Sequence, residues 1–191
     1  MAKNQPSSGQ VRIIAGQWRS RRLPIQDLEG LRPTTDRVRE TLFNWLAGDL
    51  VGARVLDCFG GSGALCLEAL SRYAKYAKVF ELQASAAKQL QQNLVTLKCE
   101  HADVIKGDTL ALLATPPEDR FDIVFIDPPF RKGLAEQSIV LLDSHQWLNN
   151  NAQIYVETES ELAHITVPNN WVQLKEKKAG QVIYRLYQYQ A

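Results

Sequence analysis

The sequence predicts an α/β fold built on a mostly parallel sheet that an antiparallel strand completes. Three observations predict it. Short apolar strands alternate with helical stretches from Arg54 to Glu157, which implies right-handed crossovers between parallel strands. The first of these strands runs into Gly60-Gly61-Ser62-Gly63 and then a helix, a turn suited to close backbone approach by a ligand. Two alternating segments joined at Ala179-Gly180 close the chain as a hairpin.

Taken in order, Met1 to Gln10 is polar, with Pro6, Ser7, Ser8 and Gly9 together, and reads as a disordered tail. Val11 to Ile14 and Arg22 to Ile25 are strand-like pieces around Gly16-Gln17-Trp18-Arg19, which predicts a hairpin. Gly30 to Pro33 is a loop. Thr35 or Asp36 caps a helix carrying Val38, Leu42, Trp45 and Leu46 on one face and ending near Gly48. Residues 11–50 thus form a basic hairpin-and-helix extension, and residues 51–191 the main domain. In that domain the strands are Arg54 to Phe59, Lys78 to Leu82, Asp103 to Lys106, Phe121 to Ile126 and Gln153 to Glu157. The helices between them are Ala64 to Tyr73, Ala84 to Leu97, Thr109 to Ala114 and Leu134 to Asp143. Val172 to Lys177 and Gln181 to Tyr189 make the closing hairpin.

A chain of 191 residues suits one domain with a small appendage. It has no apolar run long enough to span a bilayer and no secretory signal at its start, so a cytoplasmic location is expected. Cys58, Cys66 and Cys99 are odd in number and lack metal or redox spacing, so they read as reduced, buried, small apolar residues. The net charge of +1 hides an asymmetry. Lys3, Arg12, Arg19, Arg21 and Arg22 share the first 22 residues with no acid, while the remainder is mildly acidic. A basic arm on an acidic body points to a polyanion contacted from one end, with Arg12, Arg19, Arg21 and Arg22 as its contacts.

Four groups carry the chemistry. Asp57, Phe59 and Gly60-Gly61-Ser62-Gly63 join a strand to a helix. A phosphate loop would need Gly-Lys-Ser or Gly-Lys-Thr, and a dinucleotide fingerprint would place glycine where Cys66 stands. An adenosylmethionine site tolerates this spacing, and a ligand-free structural turn stays open. Glu81, followed by Leu82, ends the next strand, where an acid accepts ribose hydroxyls. Asp108-Thr109 follows the third, where an acid either accepts an adenine amine or caps a helix. Acids at three successive strand ends would share the carboxyl edge of the sheet, where ligands bind in such folds. Asp127-Pro128-Pro129-Phe130 ends the fourth strand. Its prolines stiffen the backbone and leave carbonyls as outward acceptors. A carboxylate, a fixed carbonyl and an aromatic ring suit an exocyclic base amine, whose delocalised lone pair makes it a poor nucleophile. Stacking of the base on Phe130 is worth roughly 1–3 kcal/mol.

With these residues in hand, the stretch from about Arg54 to Ala191 resembles a class I, Rossmann-like adenosylmethionine-dependent methyltransferase, and the Asp-Pro-Pro-Phe box resembles that of amino-methyltransferases. Arg12 to Arg19, Leu31 to Leu46, Ser62 to Arg72 and Ala179 to Tyr187 resemble the RsmD family more closely. This resemblance implies S-adenosyl-L-methionine as cofactor and guanine N2 of 16S ribosomal RNA as target, in the assembled small subunit. The expected chemistry is direct in-line methyl transfer, by a monomer without a metal. The resemblance also explains Arg32-Pro33-Thr34 and Arg37 as a loop folded over cofactor and base, and makes Arg131 and Lys132 RNA contacts beside the box. Departures from the family pattern are Ala15, Gly60, Cys66 and Gln83, where glycine, alanine, glycine and an acid are commoner. The alternatives are an amino-methyltransferase acting on DNA adenine or on a protein glutamine. The latter group usually carries Asn and Tyr where Asp127 and Phe130 stand.

Overall fold

The computed structural model describes residues 9–26 and 34–191. Most of the expected tail, and the expected Gly30–Pro33 loop with Arg32 and Pro33, lie outside the described residues. Two short strands open the described chain, β1 (Gln10–Arg12) and β2 (Arg22–Pro24), paired antiparallel with Val11 opposite Leu23. Helix α1 (Asp36–Trp45) follows, capped by Thr35, whose hydroxyl accepts from the Val38 amide. The alternation then runs β3 (Arg54–Asp57), α2 (Ala64–Ser71), β4 (Tyr76–Glu81), α3 (Ala84–Thr96), β5 (Ala102–Lys106), α4 (Thr109–Leu113), β6 (Phe121–Ile126) and α5 (Leu134–Ser144). Strands β7 (Leu148–Glu159), β8 (Trp171–Ala179) and β9 (Val182–Tyr189) end the chain.

Strands β3 to β9 form one sheet in the order β5-β4-β3-β6-β7-β9-β8. From β5 to β7 every pairing is parallel, and β9 inserts antiparallel between β7 and β8. The closing hairpin therefore adds its last strand inside the sheet and leaves β8 at the edge. The chain moves one way from β3 to β4 and β5, then crosses to β6 on the other side. A crevice opens at such a reversal, at the carboxyl ends of the strands.

Both faces of the sheet are covered, which is why the central strands are continuously apolar. Residues of α1, α2, α3 and the β1–β2 hairpin share one apolar cluster with Val55, Phe125 and Tyr155. Residues of α4 and α5 share another with Leu56, Val124 and Ile154. In β6 only Asp122 is less than fully buried, and its carboxylate takes the Arg54 amide at 2.8 Å and the Asn149 side chain at 2.7 Å. Strand β7 starts five residues before the sequence suggests. Asn149, Asn150 and Asn151 hide that start, and their polarity is absorbed by the Asp122 bond and by a left-handed turn at Asn151 (φ 65°). Helix α2 stops at Ser71 because Tyr73 adopts a left-handed conformation (φ 71°).

Candidate active site

Asp57 ends β3 and Asp127 follows β6, so the two acids flank the reversal of strand order. The glycine loop beside Asp57 is packed to its limit. The Gly60 amide bonds the Phe80 carbonyl at 2.8 Å, and a Cβ at Gly60 would lie 2.6 Å from Val79 Cγ1. Gly63 is left-handed (φ 77°), and a Cβ there would meet Leu90 at 2.4 Å. The loop therefore runs bare backbone across the strand ends. Glu81 holds it there, accepting from the Gly61 amide through Oε2 and from the Gln83 amide through Oε1, both at 2.7 Å. Ser62 lies in the same turn, its Oγ 3.3 Å from the Ala64 amide. Asp57 is buried, and burial pushes its carboxyl up to about 7 despite the Phe59 amide, which donates to it at 3.3 Å.

Leu82 is exposed at this edge, and Phe59 is half-buried. Asp108 caps α4, its Oδ1 accepting from the Ala111 amide at 2.9 Å, so the capping alternative is realised on an exposed side chain. Thr109 is buried and donates to the Cys58 carbonyl at 2.5 Å. That bond ties α4 to the end of β3. It makes Thr109 a strut beneath the site.

Asp127 is half-buried and accepts the Thr34 hydroxyl at 3.0 Å, so the segment before α1 reaches the box. Pro128 is buried, Pro129 exposed and Phe130 half-buried. Ile126 pairs with Val156, which sets the next residues, Asp127 and Glu157, side by side on adjacent strands. Glu157 is buried, and its Oε2 accepts the Tyr155 hydroxyl at 2.7 Å. Desolvation, then the neighbouring Glu157 charge, holds the Asp127 carboxyl well above the usual range, while the Thr34 bond works against both. Burial raises Glu157 too. Glu157 belongs to this site, yet the sequence reading left it out. Its signal was an acid closing the predicted strand Gln153 to Glu157, the feature that marked Asp57, Glu81 and Asp127.

Among the described residues, no lysine or arginine lies within ion-pair distance of Asp57, Glu81, Asp127 or Glu157. An edge lined by uncompensated carboxyls repels a pyrophosphate and suits a cation. The residues fit a sulfonium- and ammonium-bearing nucleoside better than a dinucleotide. Among the described residues, no group of His, Cys, Asp and Glu could hold a metal ion.

The arginines read as RNA contacts differ in how they are held. Arg12 bonds Asp36 at 2.6 Å across to α1. Arg21 reaches the Thr96 carbonyl at 3.4 Å, while Arg19, Arg22 and Arg37 are exposed. Arg131 and Lys132 are exposed beyond the box, Arg131 paired with Glu161 at 3.2 Å. All three cysteines are free and buried.

Residues 11–188 match the family model described as conserved hypothetical protein 95. Ribosomal RNA small subunit methyltransferase D of Escherichia coli (strain K12) is 56% identical over 188 residues, 98% of this chain and 94% of that one. The protein of the same name from Haemophilus influenzae is 55% identical over 185 residues, 95% of each chain. The solved structure of the yhhF protein from Escherichia coli superposes with a TM-score of 0.91 at 56% identity, covering 96% of this chain and 99% of that one. TrmN from Thermus thermophilus, at 18% identity and a TM-score of 0.66 over 81% of this chain and 48% of that one, shares the fold. With nearly the whole length matched at this identity, the chain belongs to the ribosomal RNA small subunit methyltransferase D family.

Proposed function

We propose that the protein transfers a methyl group from S-adenosylmethionine to the exocyclic N2 of a guanine in small-subunit ribosomal RNA, acting on the assembled particle as a cytoplasmic monomer. The observation that carries this reading is the Asp127-Pro128-Pro129-Phe130 box beside a carboxyl-lined edge at the strand reversal. The names of the family members supply the substrate class.

Asp57, the Gly60–Gly63 loop, Glu81 and Leu82 would hold the cofactor, with Asp108 and Arg32-Pro33-Thr34 flanking it. When bound, S-adenosylmethionine supplies a methyl group on a positively charged sulfur. Asp127 accepts one hydrogen of the amine and the Pro128 carbonyl the other, so the nitrogen lone pair is directed away from the ring. Thr34 bonds Asp127 Oδ2 and fixes that carboxyl. Phe130 stacks on the base, and Asp127 takes the surplus proton once the nitrogen is substituted. Holding the reactants in this geometry supplies several of the roughly 7–11 kcal/mol available from proximity. The base must leave its stack to reach the box.

The test is incubation with labelled S-adenosylmethionine and, separately, small subunits lacking the modification, naked ribosomal RNA, DNA and protein. Digestion should yield N2-methylguanosine from the subunits. Label in adenine of DNA or in protein glutamine would replace this reading.

A further inference from the structure

We propose that a groove between α1 and the β8–β9 hairpin receives the RNA phosphates flanking the target nucleotide, with Arg37, Lys177 and Lys178 as their counter-charges. The groove encloses about 410 Å³, with Thr35, Val38 and Thr41 on its α1 wall and Ala179 and Gly180 at the hairpin tip. Its cations come from elements about 140 residues apart, and the fold alone brings them together. This inference rests on the ribosomal RNA reading above and names the surface that positions that substrate.

Three observations lead there. First, the cations are uncompensated: among the described residues none of the three makes an ion pair. The adjacent acids are held elsewhere. Asp36, next to Arg37, is bound by Arg12 and Arg39, and Glu176, next to Lys177, is bound by Arg185 at 2.8 Å. Glu161, whose charge Lys178 also feels, is paired with Arg131 at 3.2 Å.

Second, the groove is continuous with the site. Thr35 forms its wall, and Thr34, one residue before, bonds Asp127. Lys177 pairs with Tyr184 and Tyr184 with Glu157, and Glu157 adjoins Asp127 on the next strand. Three strand spacings separate Lys177 from Asp127, roughly 14 Å. A base at the box therefore leaves its neighbouring phosphates within reach of the groove.

Third, the walls are firm. Tyr184 is buried and stacks on Trp45 of α1 with ring centroids 5.3 Å apart, locking the hairpin to the helix. Charges on fixed walls position a backbone without reading its sequence.

Lys177→Glu, Lys178→Glu, their double variant and Arg37→Glu are all surface changes in the full chain. Lys75→Glu is the control, an exposed residue at the amino end of β4. Binding to unmodified small subunits and to naked ribosomal RNA is measured over a salt series, with S-adenosylmethionine binding measured by calorimetry. Each lost contact should make the log–log salt slope shallower by about 0.7 to 0.9, and the double variant should bind about tenfold more weakly. The KM for subunits should rise more than kcat falls. S-adenosylmethionine binding by the lysine variants, and every readout of the control, should match wild type. Unchanged affinity and slope in the double variant, with wild type active on subunits, would overturn the groove while leaving the proposed function intact. Weakened binding to subunits with unchanged binding to naked RNA would overturn it in favour of a ribosomal protein contact. A wild-type protein that binds and methylates neither substrate would instead remove the functional reading beneath it.

Discussion

Asp127 and Glu157 are two carboxyls pushed up by one burial, and one consequence is kinetic. In the proposed mechanism Asp127 is ionised when it accepts the amine's hydrogen, so methylation should fall as pH drops through its raised pKa. Asp127→Ala should abolish methylation while leaving cofactor affinity within a few-fold. Full activity in that variant, measured by single-turnover methylation, would exclude the role. Glu157→Gln removes the neighbouring negative charge, so Asp127 should ionise more easily and the acid limb of the kcat profile should move to lower pH. An acid limb that stays in place would show that the two carboxyls titrate independently. Most of this site was legible because strand ends could be located from apolar runs, and an acid or glycine just beyond each run is visible in one dimension. Glu157 was missed because its partners, Asp127 and the Tyr155 hydroxyl, become neighbours only through strand pairing. Asp108 was legible as an acid at a strand end, but the cap it makes depends on where α4 begins.

The β1–β2 hairpin was legible as an element, and its attachment was not. Gly16 (φ 84°) sits where a Cβ would lie 1.9 Å from the Ser71 carbonyl oxygen, so the turn lies directly on the end of α2. Ser71 accepts from the Trp18 amide at 3.0 Å and donates to the Ala15 carbonyl at 2.6 Å. Glu68, fully buried, accepts the Ile14 and Ala15 amides at 2.8 and 3.0 Å and pairs with Arg72 at 2.8 Å. The sequence shows Glu68 as one acid in an apolar helix, with nothing to say that the two amides it accepts from, those of Ile14 and Ala15, lie more than fifty residues earlier. Deleting residues 1–22 would therefore strip Val11, Ile13 and Trp18 from the core together with the arm's charge. Charge substitutions at Arg19 and Arg22, both exposed, isolate the electrostatic question. Removing Glu68 leaves Arg72 and two amides without their acceptor, so Glu68→Ala should destabilise by roughly 3–5 kcal/mol. Hydrogen exchange should then lose protection at Ile14 and Ala15 before the sheet opens. Unchanged protection at those amides would show that Ser71 and the apolar contacts suffice to hold the hairpin.

At the scale of the molecule, alternation and the glycine turn were enough to read the parallel sheet, because each strand and helix announces its own period. The place of β9 between β7 and β8 depends on long-range pairing and was read only as an added antiparallel strand. That sheet gathers Asp57, Asp127 and Glu157, all raised by burial, at one edge, and so couples the stability of the whole protein to pH. A carboxyl whose folded pKa exceeds its unfolded value favours the fold while it is protonated. Its contribution is complete below the unfolded value and is lost as pH rises through the folded one. For Asp57 that window runs from the ordinary 3.8 to about 7, corresponding to at most roughly 4 kcal/mol. Asp36, lowered by Arg12, works the other way, but its window lies below the ordinary carboxylate value. The cofactor-free protein should therefore melt several degrees lower at about pH 8 than at about pH 5. Asp57→Asn should flatten part of that fall. A cationic ligand favours the ionised edge, so stabilisation by S-adenosylmethionine should grow with pH and its binding should release protons. The demethylated product, whose sulfur is neutral, should show a weaker dependence. Calorimetry in buffers of different ionisation enthalpy measures the proton count directly. An absence of proton release, or a melting temperature that rises with pH through this window, would mean that these carboxyls are already ionised in the cofactor-free fold. The edge would then have to be stabilised by a cation of the protein's own.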